Sequence, residues 1–277
     1  MRIEIIDNEI NVYVRQSWVN DAIMCAERGR QGILRPEWSL PNDATILGTA
    51  VHAGIASALE GTGEPKQVAR TELTRLLDEP FKRVKYENYE LFDYVDSLIK
   101  SWEKDIAPKL GNVRFVEKEF EFLLDSYDEP NGDESVRVNV FGKGTIDCVT
   151  EGDLWDWKTA ARKYNQKEKQ SQAVQPTMYA SASVALGWHE YPVIFNYGVL
   201  VRGGGGQVVP VHRNESHADW LRDQVRPFVR TACLVGTDYP WIKNDTHYLC
   251  SETWCPWWSI CKGSKLSPGD TTPKEKS

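Results

Sequence analysis

The sequence contains no uncharged apolar run approaching the ~18 residues that a membrane span needs. Its opening stretch, MRIEIIDNEI, carries acids where a secretion signal needs an unbroken apolar core. Positive charge is not in excess either: 33 Lys and Arg face 40 Asp and Glu, for a net charge of -7 and a pI near 5.4. A uniformly basic nucleic-acid coat is thereby excluded, although local basic patches are not. Internal repeats are missing. So are several catalytic signatures: Gly203 to Gly206 lack the Gly-Lys-Ser/Thr ending of a phosphate loop, His212 to His217 read HRNESH rather than H-E-x-x-H, and no G-x-S-x-G is present. Six cysteines without a secretion signal do not make a disulfide framework.

The 277 residues fit one large domain or two small ones. Counting Gly and leaving out Tyr, the apolar share is about 44%, ordinary for a globular chain. Strand-like runs at Ile3 to Ile6 and Val12 to Val14 precede a helix that Ser17 can cap, expected through about Gln31, with Trp18, Ala22 and Cys25 on one face. Helices are expected from Thr45 to Glu60, Lys66 to Leu77 and Tyr86 to Leu110. The texture then changes to strands at Val113 to Leu124, Val136 to Val149 and Leu154 to Lys158. A helix to about Leu186, strands near Val193 to Val201 and Val208 to His212, and a helix from Asn214 to about Val235 complete a mixed sheet flanked by helices. The expected division is a helical part over 1–112, a core over 113–236, a Cys segment over 237–263 packed on the first helix, and a disordered tail over 264–277.

The informative stretch is FGKGTIDCVTEGDLWDWKTA. Asp156 and Lys158 are two apart on a strand and so project to one face; if the preceding strand pairs as a hairpin, Asp147 comes alongside. Two carboxylates can hold a hard cation, which polarises a phosphate and activates a bound water, while a lysine stabilises charge developing on the phosphate oxygens. The competing reading is a cross-strand ion pair on the sheet surface. An acid between Trp155 and Trp157, with the lysine directly after, favours the first, because unpaired charge there is costly. Taken alone, Gln175 and Tyr179, at i and i+4, are an ordinary helix face, and His52 among small residues is an ordinary core histidine.

In order along the chain, GTAVH ending at His52, GTID ending at Asp147, DWK from Asp156 to Lys158 and QPTMY from Gln175 to Tyr179 resemble the four motifs of RecB-type nucleases of the PD-(D/E)xK superfamily. The resemblance spans roughly Ser17 to Cys261 and implies a restriction-endonuclease-like α/β fold with a helical N-terminal insertion. It implies that His52, Asp147 and Asp156, helped by the Trp157 carbonyl, bind Mg²⁺ or Mn²⁺, that Lys158 is catalytic, and that Gln175 and Tyr179 support the site or touch DNA.

CSETWCPWWSIC brings Cys250, Cys255 and Cys261 together at spacings that suit an iron–sulfur cluster with one remote cysteine better than a paired zinc site. This resembles the iron–sulfur exonuclease branch of the same family, AddB-like and CRISPR-associated, and implies a four-iron four-sulfur cluster on Cys25, Cys250, Cys255 and Cys261; zinc is the alternative. Cys148 and Cys233 read as buried thiols. Lys158, Arg162, Lys163, Lys167 and Lys169 against Glu168 form a basic segment leaving the active-site strand. It is either a phosphate contact, through Arg162, Lys163 and Lys167 above all, or a solvated helix start; scattered Trp and Tyr can stack unpaired bases. The expected function is metal-dependent DNA exonuclease activity on single strands or duplex ends, in recombination, repair or replication. The expected location is the cytoplasm, that of the host if the chain is phage-encoded. A helicase or recombination protein is the expected partner, since no helicase motif is present. The alternatives are a non-catalytic DNA-binding or assembly subunit of the same fold and a zinc-stabilised adaptor.

Overall fold

In the computed structural model, residues 1–261 are described apart from 8, 81, 83, 172, 173 and 253; the expected tail at 264–277 lies outside the described residues. Seven strands form one mixed sheet: β1 (Arg2–Ile6), β2 (Glu9–Arg15), β3 (Val113–Asn131), β4 (Glu134–Thr150), β5 (Asp153–Ala160), β6 (Val193–Val201) and β7 (Gly206–Arg213). The path runs β1-β2-β4-β5-β6-β7, with β3 also on β4; β2–β4 and β5–β6 are parallel and the other pairs antiparallel. The helices are α1 (Gln16–Met24), α2 (Ala26–Leu34), α3 (Asp43–Glu60), α4 (Pro65–Asp78), α5 (Asn88–Asp105), α6 (Gln166–Ser171), α7 (Val174–Ala185), α8 (Glu215–Leu234) and α9 (Trp258–Cys261). Among the described residues no helix is long and apolar enough to cross a membrane.

The chain divides into two compact units, one of Met1–Gln16 and Pro41–Val225, the other of Ser17–Leu40 and Arg226–Ser277. Each unit is thus made of two separate stretches of the chain. Strands β1 and β2 join the sheet because residues 9 to 15 pair in parallel with residues 137 to 143 of β4.

In the larger unit, local chemistry sets the helix ends. Asn42 caps α3 by accepting from the amides of Ala44 and Thr45, Gly61 ends it at φ 66°, Pro65 opens α4, and Glu87 with Glu90 forms a capping box on α5. The apolar faces of α3, α4 and α5 close over Trp155, Trp157, Cys148 and Leu200, with Trp102 meeting Trp157 edge-on at 6.2 Å. Residues 195 and 198 of β6 have opposite parity, so Phe195, which meets Tyr179 of α7 at 5.9 Å, lies on the other face from Gly198, the register partner of Trp157.

Two irregularities position the site. Strand β4 is paired along one edge by β3, but along the other by β2 only up to Lys143 and by β5 only at Cys148 and Val149. The edge between Lys143 and Cys148 therefore opens as a fork, and Asp147 lies in it. Opposite, Glu117 of β3 has φ 44°, in the left-handed region that non-glycine residues rarely adopt. Alternation changes phase there: Lys118 Nζ lies 5.1 Å from the Phe115 ring, although residues three apart on a regular strand face opposite ways.

Gly198 is required for the Trp157 packing. A methyl at Gly198 would sit 2.6 Å from Trp157 Cε3. Gly198→Ala is expected to destabilise the protein by about 1–3 kcal/mol through overpacking, measured by urea unfolding, whereas Gly152→Ala, in open space, should stay within about 0.5 kcal/mol.

Candidate active site

The site is built from the backbone of the fork outward. Once β4 and β5 separate, the Trp157 amide has no strand partner on that side, and it donates instead to Asp147 Oδ2 at 2.7 Å. The Trp157 carbonyl accepts from His52 Nε2 at 2.8 Å. A carbonyl can only accept, so Nε2 carries the proton and Nδ1 turns toward Asp147, 3.4 Å from Oδ2. Glu117 completes this corner: one ligand atom each from His52, Glu117 and Asp147 lie within 4.8 Å of one another, the spacing of groups that can share a metal ion.

Asp156, 2% exposed, stands on β5 beside this group with both oxygens engaged. Lys158 Nζ is 2.6 Å from Oδ2, and Gln175 Nε2 donates to Oδ1 at 2.6 Å. Tyr179 sits behind Gln175 and is hydrogen-bonded to it. The structure thus brings together His52, Asp147, Asp156, Trp157, Lys158, Gln175 and Tyr179, with Gln175 and Tyr179 supporting Asp156. Arg162, Lys163 and Lys167 lie exposed on the segment that leaves β5. Glu117 is the residue the sequence reading missed. Its signal is a slip in alternation, since Phe115 is odd-numbered and Phe120 and Phe122 are even.

Burial pushes the Asp147 carboxyl up to about 7, with the Asp156 charge adding to it and His52, the Trp157 amide and Lys158 opposing. Glu117 is raised in the same sense by desolvation, against the opposing pull of His52 and with Asp156 and Glu60 adding. For Lys158 burial works against the charge, but the Asp156 carboxylate outweighs it and the pKa rises. Burial pushes Tyr179 up to about 12. An acid cluster this desolvated fits a divalent cation. The donors are hard oxygens and one imidazole nitrogen, and the cation would offset the charge that lifts Asp147.

The smaller unit gathers the other candidate group. The sequence reading expects one helix through Cys25, but the chain breaks there: Cys25 is extended (φ -160°, ψ 116°) between α1 and α2. This break turns Cys25 into a pocket lined also by Cys250, Cys255, Cys261, Arg28, and His247. The Asn244 amide points at Cys25 Sγ at 3.4 Å. Glu27, 4% exposed, ties the two stretches of the unit together. It accepts from Arg30 at 2.8 and 2.9 Å, from Gln31 at 2.8 Å and from the Trp241 amide at 2.7 Å. Burial raises the Cys255 and Cys261 thiols, and both feel the charge of Cys250. Cys148 is not part of this pocket; it lies buried in the core of the larger unit, where burial pushes its thiol up to about 12.

The Asp147 shift has a consequence for stability. Its folded pKa lies above the ordinary value of about 3.9, so the folded protein binds this proton more tightly than the unfolded chain. The stability it contributes is complete below about pH 4 and is lost as pH rises through about 7. Asp147→Asn should therefore stabilise the metal-free protein by about 2 kcal/mol above pH 7 and flatten the decline between pH 4 and 7, followed by urea unfolding in EDTA across that range.

Comparison with known proteins gives the same assignment. The family model described as the PD-(D/E)XK nuclease superfamily matches residues 28–262. No curated protein matches. A crystal structure from Eubacterium rectale, described as a "putative exonuclease", is similar in fold with a TM-score of 0.50 at 11% identity, covering 84% of this chain and 90% of that one. A crystal structure described as SSO0001 aligns at 11% identity with a TM-score of 0.39, covering 90% and 86% of the two chains. With the family model matched over most of its length and a seven-stranded mixed sheet flanked by helices, this chain belongs to the PD-(D/E)XK nuclease superfamily and has its restriction-endonuclease-like fold.

Proposed function

We propose that this protein is a metal-dependent deoxyribonuclease acting as an exonuclease on single strands or duplex ends, in recombination, repair or replication. The observation that carries the reading is the fork, where His52, Glu117 and Asp147 converge beside the Asp156–Lys158 pair. The description of the Eubacterium rectale neighbour points the same way. A Mg²⁺ or Mn²⁺ ion supplies phosphate polarisation and an acidified water when bound. His52 Nδ1, Glu117, Asp147 and Asp156 would hold it, with the second lone pair of the Trp157 carbonyl available. Lys158 keeps its proton and offers its ammonium to the charge that develops on the scissile phosphate. Gln175, backed by Tyr179, fixes the Asp156 carboxylate. Arg162, Lys163 and Lys167 meet the phosphate backbone from their exposed positions. Unwinding would be the task of a helicase or recombination partner.

The complete set of His52, Asp147, Asp156 and Lys158 weighs against a non-catalytic subunit of the same fold. Against a zinc-stabilised adaptor stands the thiol spacing. Cys250, Cys255 and Cys261 follow one another at gaps of four and five residues with Cys25 remote, whereas a single-zinc site usually answers one C-x(2–4)-C pair with another. We therefore assign Cys25, Cys250, Cys255 and Cys261 to a four-iron four-sulfur cluster, which would staple residues 17–40 to the segment beyond 226.

End-labelled linear DNA with Mg²⁺ or Mn²⁺ should be degraded and covalently closed circles spared; cutting of circles at the same rate makes the protein an endonuclease. Asp156→Ala and Lys158→Ala should each lower the rate by about a hundredfold or more while DNA binding persists, and wild-type rates in both would rule out the assignment. Independently, Cys25→Ala should lose iron, visible absorbance and thermal stability after anaerobic purification, while Cys148→Ala and Cys233→Ala keep them. Zinc in place of iron and sulfide would refute the cluster and leave the nuclease reading intact.

A further inference from the structure

The chain leaving the catalytic strand exposes Arg162, Lys163 and Lys167, yet it is held against the sheet rather than free. Residues 161 to 171 dock along the outer edge of β7 through glutamine side chains that imitate strand pairing. The Gln207 amide takes both main-chain groups of Tyr164, accepting from its N–H at 2.9 Å and donating to its carbonyl at 3.1 Å. Gln170 does the same for His212, at 3.1 and 3.2 Å, and Gln166 Nε2 reaches the Pro210 carbonyl at 3.5 Å. The edge is thereby capped. The docked segment also acquires a fixed register relative to β5 and β6.

That register gathers a second group beside Lys158. Tyr197 of β6 is the register partner of Asp156 and is 5% exposed. The Tyr164 ring meets the Tyr197 ring edge-on at 6.0 Å, and Lys169 Nζ stands 4.4 Å from the Tyr164 centroid. Both tyrosines feel the charges of Asp156 and Lys158. Burial lowers the Lys169 pKa, Glu168 opposes this, and the Lys158 charge lowers it further. A half-buried ammonium within the field of the catalytic lysine, above a half-buried aromatic ring, is a place where an anion joined to a flat ring gains from both.

We propose that Tyr164 and Lys169 form a subsite for the DNA strand adjoining the scissile bond, Lys169 taking the neighbouring phosphate and the Tyr164 ring stacking on an unpaired base. Gln207 acts as a positioning residue, holding the Tyr164 backbone. The subsite rests on the nuclease reading, because it is placed relative to Asp156 and Lys158. It commits the substrate at this point to a single strand, since a base inside a duplex has both faces covered by the stacked neighbouring pairs.

The test is equilibrium binding of a fluorescently labelled oligothymidine in EDTA, where nothing is cut, over a series of salt concentrations, together with steady-state cleavage in Mn²⁺. Lys169→Ala should weaken binding and lower the slope of log affinity against log salt by about 0.7, the share of one phosphate on a single strand. Tyr164→Leu should weaken binding about tenfold with the slope unchanged. Lys169→Arg and Tyr164→Phe should restore most of the affinity, and in cleavage KM should rise by a larger factor than kcat falls. Thermal melting verifies that each variant is folded; should Tyr164→Leu unfold, Lys169→Ala and its arginine rescue decide the matter. Wild-type affinity and slope in both Lys169→Ala and Tyr164→Leu would overturn the subsite while wild-type cleavage upholds the nuclease. Absence of wild-type cleavage with either Mg²⁺ or Mn²⁺ would instead overturn the nuclease reading, and the binding series in EDTA would still decide the subsite.

Discussion

The hydrogen bond from the Trp157 amide to Asp147 is the constraint on which the site depends. Strands that part in mid-sheet strand their main-chain donors and acceptors, and a buried unpaired amide costs about 1–3 kcal/mol. Here a side chain fills the gap. By doing so it fixes a carboxylate 7% exposed at the point where β4 and β5 diverge. The Trp157 carbonyl, bound to His52, fixes the imidazole by the same economy. One peptide unit on each side of a tryptophan thus orients two candidate ligands. The tryptophan itself is locked against Trp102, Trp155 and Gly198. Core packing and site geometry are one problem in this region, which is why a methyl group at Gly198 matters to both.

The smaller unit solves a similar problem with a different residue. Glu27 is almost buried and keeps its charge because Arg30, Gln31 and the Trp241 amide all donate to it. These bonds outweigh the burial that would otherwise raise its pKa, and the net direction is down. Its own amide donates to the Ile242 carbonyl at 3.1 Å, so residues 241 and 242 are held from both sides. Cys25 is two residues away, at the helix break. A thiol presented from an extended residue between two helices has a direction that no position within a continuous helix would give it.

The sequence made some of this legible and hid the rest for identifiable reasons. Asp156 and Lys158 could be read from strand alternation and Asp147 from hairpin pairing with the strand before, and an acid between Trp155 and Trp157 is conspicuous. His52 and Gln175 could not: each is ordinary in its helix, and only the ordered resemblance to a nuclease family singled them out. The ends of β3 and β4 beyond residues 124 and 136 were hidden because their pairing is polar and carries no apolar alternation. Cys25 was placed on a helix because the Trp18, Ala22, Cys25 spacing is helical, and the periodicity carries no mark of the break. The docking of residues 161 to 171 leaves no periodic trace at all, since glutamine side chains do the pairing.

Glu117 combines these lessons. Holding a non-glycine residue at a left-handed φ costs about 1–3 kcal/mol and persists only where the surroundings impose it. Here the imposition comes from both flanks: β3 is in register with β4 at Val116 and again at Lys118, so the irregularity is confined to one residue with no net slip. Without the phase change, one face of β3 would run continuously from Phe115 through Glu117 to Glu119. With it, the two flanking segments face oppositely and Glu117 is aimed into the fork, within reach of His52 and Asp147. A glycine would meet the backbone requirement at no cost, but it would have no carboxylate to deliver. The cost of the strained backbone is therefore tied to the side chain, and the strain marks the position as part of the site independently of any motif.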